Sequence, residues 1–140
     1  MKLAEDLKFN HLGVAVFDLD EAIELYKNLL GYRIIRGPIE DPLQKVSACF
    51  VGRNEPGHPV IELVAPTSKD SPIGAYLKRC IGAYHTCYEV PDLGQALQQS
   101  QALNCKLIGE PVPAVAFDGR KICWLYTPTH MLIELLEAAR

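Results

Sequence analysis

Two histidines and two glutamates stand at matched intervals along this 140-residue chain and could together bind a metal ion. His11 precedes Glu62 by 62 − 11 = 51 positions, and His85 precedes Glu134 by 134 − 85 = 49 positions. Both glutamates lie in apolar runs, VIELVAP and LIELLEA, where an isolated buried carboxylate would be costly unless it were paired or bound to a cation. Two imidazoles and two carboxylates form a suitable ligand set for one divalent ion.

Each of these residues taken alone has a simpler interpretation. A histidine at the start of a strand is usually structural, and a glutamate between apolar neighbours, such as Glu62 between Ile61 and Leu63, suits a solvent-facing position. The recurrence of both residue types at nearly equal offsets favours ligation. His58 and His130 have no such counterparts and are predicted to lie in turns.

The elements that must position the four residues are themselves repeated. The segments HLGVAVFDLDEAIELYKNLLGYRII and HTCYEVPDLGQALQQSQALNCKLIG each read as a strand, an acidic turn and a helix with an apolar stripe. Asp18 or Asp20 in the first copy and Asp92 in the second are predicted N-caps, and Gly31 is a predicted C-cap. The predicted stripes are Ala22, Ile23, Leu25, Tyr26, Leu29 and Leu30 in the first helix, and Leu93, Ala96, Leu97 and Leu103 in the second.

Three strand-like runs follow each helix, so each half is predicted to be β-α-β-β-β and the chain to be of the α+β class. The runs are Tyr32–Arg36, Lys45–Gly52 and Pro59–Val64, then Lys106–Gly109, Lys121–Tyr126 and Met131–Leu136. We expect a single domain spanning residues 1–140, with module one at about 8–66, a linker helix at about 67–82 and module two at about 83–137. Ser71 before Pro72 predicts the start of the linker helix.

Composition excludes several classes of partner. A net charge of −3 gives no electrostatic reason to expect nucleic acid or an anionic membrane. No apolar run approaches the roughly 18 residues that cross a bilayer, and MKLAEDLKFN does not resemble a signal peptide. The five cysteines are odd in number and never spaced C-x-x-C, which predicts reduced thiols in a cytoplasmic protein.

The motifs HLGVAVFDLDEAIELYKNLLGY, VIELVAP, HTCYEVPDL and LIELLEA resemble the vicinal-oxygen-chelate superfamily, which includes glyoxalase I, extradiol dioxygenases and antibiotic-resistance proteins. Within it, PTSKDSPIGAYLKR is similar to the linker of the methylmalonyl-CoA epimerases. The resemblance covers about residues 9–137. It implies two modules that form an open curved barrel around the metal, and a homodimer.

The resemblance also implies an activity. One divalent ion (zinc, cobalt, nickel, manganese or iron(II)) would be held by His11, Glu62, His85 and Glu134. The enzyme would be an isomerase or lyase that acts on an acyl-CoA thioester or a small carbonyl compound through a metal-stabilised enediolate, with Glu134 also moving the proton. Arg120 and Lys121 are candidates for contacting a substrate phosphate or carboxylate, or are exposed strand ends, whereas Glu89 and Glu137 are expected on solvated surfaces.

Three alternatives within the superfamily stay open. They are a glyoxalase I-like lactoylglutathione lyase, an iron(II) dioxygenase, and a protein that binds a ligand or antibiotic without turnover. The dioxygenase needs open metal positions, which a fourth protein ligand at Glu62 would reduce. Resistance proteins of this fold usually lack the metal ligands.

The third strand departs from the epimerase pattern. Some members carry a second catalytic carboxylate there, whereas LQKVSACF offers Gln44, Ser47 and Ala48. Glu40 and Asp41, expected on a loop, are the nearest acids. The tandem histidine of the family is Tyr84-His85 here. The loop TPTHMLIEL is shortened and lacks the usual lysine and glycines, and the Gly-rich turn before the seventh strand is reduced to FDGRK.

Overall fold

The computed structural model describes residues 3–139 and divides the chain into two compact units. The first unit is residues 11–84, and the second combines residues 3–10 with residues 85–139. The chain therefore passes from one unit to the other within its first strand. Met1 and Lys2, the first two residues of the segment MKLAEDLKFN, lie outside the described residues.

Each half of the chain has the predicted β-α-β-β-β order. The first half contains β1 (Lys8–Ala15), α2 (Leu19–Leu30), β2 (Arg33–Asp41), β3 (Val46–Gly52) and β4 (Ile61–Pro66), after a short α1 (Leu3–Asp6). The second half contains β5 (Ala83–Val90), α4 (Leu93–Ala102), β6 (Lys106–Pro113), a 3-10 turn (Val115–Phe117), β7 (Lys121–Tyr126) and β8 (Leu132–Glu137). Strands follow the order β2-β3-β4-β1 in the first unit and β5-β8-β7-β6 in the second, which confirms the α+β class.

Both long helices begin and the first one ends where the sequence predicts. Asp18 accepts a hydrogen bond from the backbone N–H of Glu21 at 2.9 Å, and Asp92 accepts one from Gln95 at 3.0 Å. These N-cap bonds satisfy backbone donors that the first helical turn leaves unpaired. Gly31 closes α2 with a φ of 71°, a left-handed conformation that glycine adopts without a Cβ penalty.

The apolar stripes of these helices are narrower than predicted. In α2, Ala22 and Ile23 are buried and Tyr26 packs beside them, but Leu25, Leu29 and Leu30 are exposed. In α4, the buried residues include Leu93, Ala96 and Leu97, whereas Leu103 lies at the exposed C-cap. Only the side of each helix that faces its sheet is covered, so the outer edge of each predicted stripe was assigned wrongly.

Strands β2 and β6 extend past the residues at which the sequence predicted their ends. Each crosses a register irregularity at a glycine with positive φ followed closely by proline: Gly37-Pro38 in β2 and Gly109-Glu110-Pro111 in β6. Both are end strands in their unit's strand order, where proline removes no essential ladder hydrogen bond. The Gly/Pro positions therefore mark bulges, not strand ends.

The linker helix α3 (Gly74–Lys78) is shorter and begins later than predicted. Ser71 is not its N-cap, because Ile73 precedes the helix and the Ser71 carbonyl instead accepts the backbone N–H of Gly74 at 3.1 Å. Ile73 and Leu77 pack against Ala15, Ala48 and Val64 of the first unit's strands. The linker is thus part of that unit's core.

The strands of the first unit are covered on both faces. One face packs Cys49, Val51, Ile61 and Leu63 against α2, and the other carries the cluster that includes α3. In the second unit, Val90, Cys123, Leu125 and Leu135 pack against α4. A glutamate that alternates with these residues therefore points to the face opposite α2 in the first unit, or opposite α4 in the second.

No helix among residues 3–139 is both long and apolar enough to cross a membrane. None of the five cysteines forms a disulfide; Cys49, Cys87 and Cys123 are buried, Cys105 is partly buried and Cys80 is exposed. Burial raises the pKa of the Cys49 and Cys123 thiols, so these two stay protonated and unreactive at neutral pH.

Candidate metal centre

The first unit brings His11 and Glu62 together on neighbouring parallel strands. In the β1–β4 ladder Gly13 is the register partner of Glu62, and His11 lies two residues earlier on the same face as Gly13. His11 Nε2 lies 3.3 Å from Glu62 Oε1, and the two side chains are 0% and 12% exposed. Ile61 and Leu63 take the face toward α2, so Glu62 points to the opposite face.

The second unit repeats this arrangement with His85 and Glu134. In the parallel β5–β8 ladder Cys87 is the register partner of Glu134, and His85 lies two residues before Cys87. His85 Nε2 lies 3.4 Å from Glu134 Oε1, with side chains 0% and 5% exposed. The matched sequence spacing therefore corresponds to matched strand register and nearly equal atomic separations.

Each His–Glu pair has the donor types and spacing of two ligands of one divalent ion. Two ligands at about 2.1 Å from a tetrahedral ion lie about 3.4 Å apart. The observed 3.3 Å and 3.4 Å agree with that separation and exceed the 2.7–3.2 Å that is usual for an N–H···O hydrogen bond. Imidazole with carboxylate suits zinc and the neighbouring transition metals.

An aromatic residue accompanies each pair, a feature that the sequence analysis missed. Phe50 is the register partner of Glu62 across β3–β4, and its ring meets the His11 ring edge-on at 5.2 Å between centroids. Trp124 is the partner of Glu134 across β7–β8, and its ring meets His85 edge-on at 4.8 Å. The signal was available, since each aromatic stands 10–12 positions before the glutamate of its repeat.

Arg120, one of the two predicted substrate contacts, is engaged within the second unit. Its Nη1 donates to Glu89 Oε1 at 2.9 Å and to the Glu137 carbonyl at 3.2 Å, and the guanidinium lies over the Phe117 ring. Asn10 also donates to Glu89, at 3.3 Å. Glu89 is part-buried and paired, not solvated as predicted, because these two donors surround its carboxylate.

The environment of Glu89 favours its charged form. Burial alone would raise the pKa of Glu89, but the hydrogen bonds from Arg120 and Asn10 outweigh it, and the pKa lies below its ordinary value of 4.5. Lys121, the other predicted contact, is the exposed first residue of β7 and pairs in register with Pro113.

The two acids considered for the second proton transfer lie in a strand, not in the expected loop. Glu40 and Asp41 end β2, where Glu40 is exposed and pairs in register with Ser47. Asp41 is buried, and its carboxylate accepts hydrogen bonds from the backbone N–H groups of Leu43 and Gln44 and from the Gln44 side chain, at 3.0–3.1 Å. The Asp41 carboxylate thus fixes the turn that leads into β3.

The two remaining histidines occupy the predicted turns. His58 lies between β3 and β4, and its Nε2 is 3.4 Å from Glu55 Oε2 on the surface. His130 has a φ of 64° in the tight turn between β7 and β8 and donates its backbone N–H to the Thr127 carbonyl.

Comparison with known proteins decides the family. Residues 10–124 match the sequence model of the glyoxalase/bleomycin resistance protein/dioxygenase superfamily. The chain belongs to this superfamily. It is 32% identical over 134 residues to the mitochondrial methylmalonyl-CoA epimerase of Dictyostelium discoideum, covering 93% of this chain and 78% of that protein.

Further relatives agree with this membership. The chain is 29% identical over 121 residues to the ethylmalonyl-CoA/methylmalonyl-CoA epimerase of Cereibacter sphaeroides, covering 85% of this chain and 87% of that protein. The crystal structure of methylmalonyl-CoA epimerase from Mycobacterium tuberculosis superposes with a TM-score of 0.79 at 28% identity, over 95% of this chain and 89% of that one. The chain is thus an epimerase-like enzyme of the superfamily with a glyoxalase-like fold, as the sequence predicted.

Proposed function

We propose that His11, Glu62, His85 and Glu134 together hold one divalent metal ion, and that the enzyme epimerises a 2-alkylmalonyl-CoA thioester such as methylmalonyl-CoA. The observation that supports this most directly is the duplication of one His–Glu geometry on two pairs of parallel strands. The substrate class is taken from the names of the relatives, whose likeness to this chain extends over most of its length.

The reaction requires removal of the α-proton of a thioester, which is a weak acid. A bound divalent ion supplies Lewis-acid stabilisation of the negative charge that develops on the substrate oxygens. Glu134 then has two roles in this proposal. One carboxylate oxygen, 3.4 Å from His85 Nε2, would serve as a metal ligand. The carboxylate would also take the α-proton from one face of C2, and inversion is complete when a proton is returned to the opposite face. Positioned general bases of this kind contribute about 10²–10⁴-fold.

The strand neighbours of Glu134 favour the proton-transfer role. Trp124 on β7 and Cys87 on β5 lie beside it in register, and its side chain is only 5% exposed. Restricted access of water to a carboxylate strengthens its electrostatic interactions with the substrate and limits competing proton transfers. Lys121, which is exposed at the start of β7, is proposed to contact the substrate phosphate or carboxylate.

The test is solvent-deuterium exchange at C2 of methylmalonyl-CoA, measured by NMR. The purified protein is assayed before and after treatment with a chelator. We expect exchange that is lost on metal removal and restored by one equivalent of a divalent ion per chain. Exchange that survives complete metal removal would refute the role of the metal. Absence of exchange at full metal occupancy would refute the substrate, and a glutathione hemithioacetal assay would then test the glyoxalase I alternative.

We further propose a homodimer in a reducing compartment such as the cytoplasm. Among residues 3–139, the end strands β2 and β6 each have one edge with no neighbouring strand, which invites association, and none of the five cysteines forms a disulfide. Sedimentation at micromolar concentration should give twice the chain mass of 15.5 kDa, and a 15.5 kDa particle would contradict the dimer.

A further inference from the structure

The two aromatic rings beside the histidines share one geometry although they differ in type. The Phe50–His11 planes cross at 80° and the Trp124–His85 planes at 86°, so both contacts are edge-to-face. Such pairs are favoured at centroid separations of 4.5–7 Å, and both fall at the short end of that range. Each aromatic also lies directly across the ladder from the glutamate of its own pair.

This placement restricts the rotation of each imidazole. A histidine ligand must keep its ring plane and its Nε2 direction, and rotation about the Cβ–Cγ bond is otherwise broad. An aromatic ring packed edge-on against the imidazole, and anchored opposite the neighbouring glutamate, limits this rotation. Groups that orient metal ligands typically change metal affinity by 10–100-fold when removed.

We propose that Phe50 and Trp124 are repeat-related positioning residues, which hold the His11 and His85 rings with Nε2 directed toward Glu62 and Glu134. The inference rests on the proposed metal site. It extends that proposal to two residues that contribute no ligand atom, and it explains why two different aromatic residues occupy the same register position in the two repeats.

The experiment is a titration of metal-free protein with cobalt(II). Binding is monitored by calorimetry and by the visible absorption of the bound ion. Two leucine variants, Phe50→Leu and Trp124→Leu, remove the aromatic ring. Two aromatic variants, Phe50→Trp and Trp124→Phe, exchange one ring for another. Val51→Ala and Leu125→Val are matched controls, since each lies one residue further along the same strand and packs against the helix on the other face.

We expect the leucine variants to bind cobalt(II) about 10-fold more weakly and with an altered absorption band, because the histidines lose their fixed orientation. The aromatic variants should stay within about 3-fold of the original protein. The controls should lose thermal stability without losing affinity, which separates ligand positioning from a general effect on folding. Trp124 is the only tryptophan in the chain, so its fluorescence should also respond to cobalt(II) in the original protein and in Phe50→Leu.

Two failures are distinguishable. Tight binding by the original protein together with equal binding by both leucine variants would overturn the positioning role and leave the metal site intact. Failure of the original protein to bind cobalt(II) at all, with no fluorescence response, would overturn the metal site and this inference together.

Discussion

Nε2 of His85 and Oε1 of Glu134 lie 3.4 Å apart in side chains that are at most 5% exposed. The corresponding atoms of His11 and Glu62 are 3.3 Å apart, but the Glu62 side chain is 12% exposed. The two pairs are therefore similar in geometry and differ in surroundings, which allows the roles of the two glutamates to be tested against each other.

The first prediction is an unequal effect of removing the two carboxylate charges. Glu134→Gln retains size and one ligand oxygen but loses the basic group, so at full metal occupancy it should lose about 10²-fold or more in α-proton exchange. Glu62→Gln should cause a smaller loss of α-proton exchange, because the proposal gives that position a ligand role only. Metal content is measured in parallel, and equal losses in both variants would leave both glutamates as simple ligands.

The second prediction follows from the absence of an acid in β3, whose sequence is VSACFVG. Because the carboxylate of Asp41 is committed to its turn and Glu40 is exposed, the proposed mechanism leaves Glu134 to serve the α-carbon from one face. Exchange of the α-proton with solvent should then be faster than inversion of configuration. The measurement compares deuterium incorporation into one epimer with the appearance of the other, and equal rates from the start would indicate a second proton-transfer group.

The third prediction concerns the pH dependence of stability through Glu89. Because Arg120 and Asn10 lower its pKa in the folded state, the carboxylate stabilises the fold above its unfolded pKa, and this contribution is lost as the pH falls through the folded value. Glu89→Gln should cost about 1 kcal/mol of unfolding free energy at pH 7. Denaturant unfolding should show this difference shrinking toward zero below the ordinary pKa of 4.5.

A suitable control for Glu89 is the exposed acid Glu24, whose partner Lys27 is also exposed. Glu24→Gln should change stability little at any pH, since exposed ion pairs contribute little. A constant difference between Glu89→Gln and the original protein from pH 3 to pH 7 would show that the carboxylate charge is not what matters at that position.

The fourth prediction concerns the end of α2. A Cβ at Gly31 would lie 2.5 Å from Arg53 Nη1, which donates to the Leu30 carbonyl, and the φ of 71° disfavours any other residue. Gly31→Ala should therefore lower the free energy of unfolding by about 1–2 kcal/mol through the backbone conformation alone. A further loss is expected because the added methyl displaces Arg53 from the end of the helix. Gly57→Ala, at φ 87° with open space around the added methyl, is the control for the backbone part alone. Equal losses in thermal unfolding would exclude a role for Arg53.

The sequence predicted those parts of the fold that depend on local chemistry. Asp18, Asp92 and Gly31 are caps because short carboxylates and an achiral residue satisfy helix ends wherever they occur. The His–Glu pairs were predictable because duplication preserves strand register, and register converts sequence spacing into position.

Other parts depended on context that a single sequence does not contain. Gly37-Pro38 reads as a strand terminator, and only the position of β2 at the end of the strand order makes it a bulge. Asp41 was expected in a loop, because the three hydrogen bonds that hold its carboxylate come from the turn that follows it. Arg120 looked available for a substrate because its partner Glu89 is 31 positions away.

The membership of the first strand in both units bears on how the chain folds during synthesis. Residues 11–84 form a continuous stretch, so every strand of the first unit is synthesised before β5 is complete. Asn10, in contrast, meets Glu89 across 79 positions, and Phe9 meets the Tyr88 ring at 5.8 Å. Phe9 and Asn10 must therefore wait for the second half to be translated before they acquire these partners, and truncated chains that end near residue 84 leave both residues exposed to proteases.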